Sequence, residues 1–76
     1  MKMETYPTSD LYLSAFLKAK GLKIIDRKTD GKKVIFVFQD RKDREELIRL
    51  FFNDGLVSIS AFKGAIQELK TMIFNG

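Results

Sequence analysis

The chain predicts an α+β domain, with helices packed on a small antiparallel sheet. Three observations predict it. Apolar residues recur at helical spacing near both ends, at Leu13, Phe16 and Leu17 and again at Phe62, Ala65, Ile66, Leu69, Met72 and Ile73. Between them, two β-branched runs flank Thr29-Asp30-Gly31-Lys32. Asn53-Asp54-Gly55 then reads as a helix stop that divides the second half. The predicted order is α-β-β-α-α, with the N-terminal arm as an open candidate for a third strand. Seventy-six residues allow one domain, 1–76, and no second core.

Each element has a local cause. Met1 to Pro7 is polar and extended, and Pro7 biases Tyr6 away from helix. Thr8, Ser9 and Asp10 are three consecutive N-cap residues, and Gly21 is placed to close the helix in the left-handed conformation, which predicts a first helix over Asp10–Lys20. The runs Leu22–Lys28 and Lys33–Gln39 form a hairpin in one of two registers. A two-residue Asp30-Gly31 turn sets Ile25 opposite Phe36, but also Lys23 opposite Phe38 and Arg27 opposite Val34. A three-residue loop with Gly31 in a bulge pairs Leu22 with Phe38, Ile24 with Phe36 and Asp26 with Val34. The second gathers Leu22, Ile24, Val34, Phe36 and Phe38 on one face, and is preferred for that reason. Ile25, Ile35 and Val37 then lie on the other face. Asp40 or Asp43 caps the next helix, which carries Leu47, Ile48, Leu50, Phe51 and Phe52, and Ser58 or Ser60 starts the last.

Composition excludes several classes of function. There is no cysteine, hence no disulfide framework, thiol nucleophile or thiolate metal site. There is no histidine, the commonest general base and metal ligand. No apolar run reaches the roughly 18 residues of a transmembrane helix, and no secretory leader is visible, so a cytoplasmic address without membrane contact is expected. A domain this short buries only about 60% of its unfolded surface. Without staples it relies on its seven Phe and eight Leu, or on oligomerisation.

The segment Thr8-Ser9-Asp10-Leu11-Tyr12-Leu13, with Ala15-Phe16-Leu17 and Gly21, resembles the opening of a small bacterial and phage family catalogued only as a domain of unknown function. The likeness continues through Val37-Phe38, Phe51-Phe52-Asn53, Ala61-Phe62 and Leu69-Lys70, from about Tyr6 to Phe74. Ser58-Ile59 departs from it, standing where an acidic cap and a proline are expected. Both pairs can begin a helix. These are core and cap residues, so the resemblance implies a shared fold and carries no chemistry.

Three constellations remain as candidates. Asp40, Asp43, Glu45 and Glu46 are the one acidic cluster, but Arg41, Lys42 and Arg44 interleave with them and the plain reading is a capped helix start. No Gly-rich phosphate loop accompanies them. Neither catalysis, nor a cofactor, metal or small-molecule substrate, is therefore expected. Lys18, Lys20, Lys23, Arg27, Lys28, Lys32 and Lys33 fall within sixteen residues against only Asp26 and Asp30, so this stretch carries +5 and the rest of the chain −1. They are candidate phosphate contacts for a nucleic-acid accessory protein of a phage or mobile element. No recognition-like row of Arg, Asn and Gln goes with them, and a solvated hairpin kept from aggregating by lysines explains the same charges. The third constellation is apolar surplus. Both faces of the hairpin carry hydrophobic residues, so something must pack on each, either the three helices or a second chain. Ile25, Ile35, Val37, Phe52 and Gly64 are the candidate self-association residues. The leading expectation is a non-catalytic interaction module that forms a homodimer or binds another protein.

Overall fold

A computed structural model describes residues 4–53 and 55–74. They form β1 (Thr5–Thr8), α1 (Leu11–Ala19), β2 (Ile24–Asp30), β3 (Lys33–Gln39), α2 (Arg44–Phe52) and α3 (Ile59–Phe74). The order is therefore β-α-β-β-α-α, not α-β-β-α-α, because the N-terminal arm does make a strand. Met1 to Met3, in the polar opening, and Asp54, in the helix stop, lie outside the described residues.

The three strands form one antiparallel sheet in the order β1-β3-β2. β3 is central, which suits Lys33–Gln39, the most continuously apolar of the three strands. Pro7, which lacks an amide to donate, sits in an edge strand where that loss is tolerated.

Asp10 is the N-cap of α1, its side chain accepting from the amide of Leu13 at 3.0 Å. The other end closes as a Schellman motif. The amide of Leu22 donates to Leu17 O and that of Gly21 to Lys18 O, with Gly21 at φ +100°. The predicted span Asp10–Lys20 thus includes one cap at each end of the nine-residue helix.

The hairpin has neither expected register. Its turn is Gly31-Lys32, with Asp30 opposite Lys33 and Gly31 at φ +62°, as the primed turns require at their first central position. Arg27 pairs with Phe36 and Asp26 with Val37. A bulge between Ile24 and Asp26 then brings Ile24 opposite Phe38. Without the bulge Ile24 would fall opposite Gln39, on the wrong face. The extra residue, Ile25, turns Ile24 towards the core. Leu22 is buried but precedes the strand, so it fills the core without pairing with Phe38.

One hydrophobic core joins all the helices to one side of the sheet. Leu13, Phe16 and Leu17 from α1, Leu47 from α2, and Ala65 and Leu69 from α3 close over Phe36 and Phe38. Tyr6, Ile24 and Val34 complete that face of the sheet. α1 packs chiefly against α3, and the Phe16 ring meets Phe51 of α2 with centroids 5.5 Å apart. The result is two layers within a flat outline, 34 × 31 × 17 Å.

Candidate interaction surface

Strand alternation defines the second face of the sheet without ambiguity. Residues paired across the ladder share a face, and successive residues alternate. Tyr6, Thr8, Arg27, Thr29, Val34, Phe36 and Phe38 therefore look towards the helices. Thr5, Pro7, Asp26, Lys28, Asp30, Lys33, Ile35, Val37 and Gln39 look away from them. Val37 is only 7% exposed, yet it takes no part in the helix-covered core. Its burial comes from its place in the central strand, between Pro7 on one side and Asp26 on the other. Ile35 is half-buried and likewise outside that core, and Ile25, at the bulge, is 42% exposed. Among the described residues no helix covers this face. Its centre is apolar, and its β2 margin alternates in sign: Asp26, Lys28, Asp30.

The other two candidates for self-association stand in the helix layer. Phe52 is 70% exposed at the end of α2, its ring edge-on to Phe51. Near it in sequence, Leu56 and Ile59 are more exposed still, at 86% and 84%. Sequence reasoning passed over both. Leu56 lies just beyond the helix stop and Ile59 opens α3, positions where periodicity assigns no face. Gly64 lies beside a groove of about 330 Å³ between Lys18 and Ala19 of α1 and Ser60 and Ala61 of α3. A side chain built at Gly64 would meet nothing within 4 Å, so no helix of this chain approaches closely there. Ile25, Ile35 and Val37 thus share one surface, and Phe52 and Gly64 do not belong to it.

The seven basic residues are dispersed. Lys18 forms a 2.8 Å ion pair with Glu68, and the Lys20 ammonium stands 5.5 Å from the centre of the Phe16 ring. Arg27 reaches across the core side and donates to the carbonyl of Met72 in the last turn of α3. Lys23 is exposed in the loop before β2, and Lys32 is in the turn. Lys28 and Lys33 extend from the open face, in the company of Asp26 and Asp30.

The acidic cluster is held by arginines. Arg44 pairs with Asp40 at 3.1 Å, while its guanidinium lies 4.4 Å from the centre of the Tyr6 ring. Arg41 grips both oxygens of Asp43, at 2.6 and 2.8 Å, and also donates to Lys20 O. Asp43 occupies the N-cap position of α2, but its carboxylate goes to Arg41 instead of a backbone amide. The hydrogen bonds from Arg44 and Arg41 hold Asp40 and Asp43 below the ordinary aspartate range. Among the described residues no three acidic groups converge as metal ligands. Nor is any helix long and apolar enough to cross a membrane.

Residues 3–75 match the family described as a domain of unknown function, DUF5659. The chain belongs to that family. No curated protein matches the chain, and no solved structure does. Membership thus spans the whole sheet and all three helices and assigns no role to any residue in them.

Proposed function

We propose that the chain is a small cytoplasmic interaction module without catalytic chemistry of its own, and that it associates with a second copy through the open sheet face. The observation that carries this reading is the exposed Ile25 and half-buried Ile35 beside the buried Val37, on a side that no helix covers. Sheet edges are poorer docking sites. β1 is four residues long and contains Pro7, and β2 is bulged and charged, both devices that blunt edge pairing.

Light scattering over a range of concentrations tests the proposal. The expected mass is twice the 8.8 kDa of the chain, falling to 8.8 kDa in Ile35→Glu and Ile25→Glu variants that keep their helical circular dichroism. A wild-type mass of 8.8 kDa at every concentration overturns it. Nucleic-acid binding is the competing reading. It requires binding to DNA that weakens steeply with salt and is lost on glutamate substitution at Lys28, Lys32 and Lys33. Asp26 and Asp30, on the same margin as Lys28, oppose a polyanion and suit a surface that alternates likewise.

A further inference from the structure

We infer that the second copy sits on the open face in one particular way: about a two-fold axis running across the strands, with β3 antiparallel over β3 and Asp26 of each copy facing Lys28 of the other. This rests on the reading of the open face as a self-association surface. A closed pair of identical chains is related by a two-fold axis, and its interface is the same patch on both. For two sheets stacked face to face, that axis runs either along the strands or across them. Along the strands, β2 of one copy lies over β1 of the other. By the register Asp26 would then lie over Pro7, while Lys28 and Asp30 would pass beyond the end of β1 at Thr8, so no charge of the margin meets a countercharge from β1. Burying charges without partners is costly.

Across the strands, β2 and β3 each lie over their own counterparts, running the opposite way. An axis passing at the Arg27–Phe36 position sets Ile35 over the partner's Val37 and Asp26 over the partner's Lys28. The apolar centre meets itself, and the alternating margin becomes self-complementary. Aligned sheets pack about 10 Å apart at roughly 30°, and the residues next to the axis are those least displaced by that angle. The charges are free for the purpose. Among the described residues neither Asp26 nor Lys28 is in an ion pair, and Asp26 uses only Oδ1, on the amide of Arg27. Each face of the molecule, 34 × 31 Å across, is also broad enough for the roughly 800 Å² of a standard interface.

Charge reversal distinguishes this arrangement from any other mode of pairing. Asp26→Lys or Lys28→Asp alone places like charges together twice per dimer. Each is expected to raise the dimer dissociation constant about tenfold, since each of the two contacts changes by a surface-pair energy. The combined variant, D26K with K28D, restores both contacts with reversed sign and is expected to return to within about threefold of wild type. Lys32→Asp changes the net charge as much as Lys28→Asp but lies in the turn, and is expected to leave association unaltered. All three sites are exposed, and circular dichroism checks that each of the four variants folds. Should one single variant fail to fold, the other and the combined variant carry the same comparison. A wild-type dimer indifferent to the single reversals, or not restored by the combination, overturns the arrangement and leaves self-association standing. A wild-type monomer overturns both.

Discussion

Ser14 is wholly buried in α1, and its hydroxyl has no hydrogen-bond partner among the described residues. An enclosed hydroxyl without a partner carries a desolvation penalty of about 1–3 kcal/mol, and Ala is the better helix former. Ser14→Ala is therefore expected to stabilise the fold by about 1 kcal/mol, read as a higher denaturation midpoint at an unchanged slope. A lower midpoint would show that the hydroxyl is satisfied after all. Arg27 illustrates the opposite case. By charge pattern it belongs with the phosphate candidates, yet it caps the end of α3, a helix with no basic residue in its own last turn. The two residues are 45 apart in sequence, and no local signal spans that separation.

At the scale of elements, the start of α2 is a pair of ion bridges that also ties down the end of α1, because Arg41 reaches Lys20 O as well as Asp43. Asp40 and Asp43 titrate below their ordinary value of about 3.9, so both stabilise the folded state above that pH. Their contribution is lost as pH falls below it, through the lowered folded values. Acid titration of the unfolding free energy is expected to be flat between pH 7 and 5 and to fall below pH 4. Asp40→Asn should cost about 1 kcal/mol at pH 7 and make that acid fall shallower. A variant with the full wild-type acid dependence would show that Asp40 is not responsible.

Helices were largely legible, because caps and periodicity are local: Asp10, Gly21 and Ser58 mark ends that the structure keeps. The hairpin register was not. Both registers weighed from sequence keep the ladder unbroken beyond the turn, whereas the chain turns later, at Gly31-Lys32, and corrects itself with one extra residue at Ile25. The set of core residues survives that error, since burial selects Leu22, Ile24, Val34, Phe36 and Phe38 whichever partner each meets; only the pairing of Leu22 with Phe38 is lost. Ile35 and Val37 were assigned to the far side on the same logic. That the far side has no cover depends on where three helices settle, which no window of sequence contains.

For the molecule as a whole, an uncovered apolar face links stability to concentration. Anything that binds only the folded chain raises its melting temperature by mass action, and under the proposed self-association a second copy would do so as protein is added. The melting temperature is expected to rise by about 5 °C or more over a hundredfold range of concentration, and to stay constant in Ile35→Glu. A constant wild-type value would mean that the two-layer fold is self-sufficient.

The position of α3 has a consequence for how the chain is made. Its Leu69 lies in the core with α1, and Met72 receives Arg27 from the sheet. The helix that covers the first half of this sequence is thus the last of these elements to be made. Until it emerges, α1 and the inner face of the hairpin lack the cover that Leu69 provides. The hairpin can close early, since its strands are neighbours in sequence, but the core it faces is completed only when α3 docks.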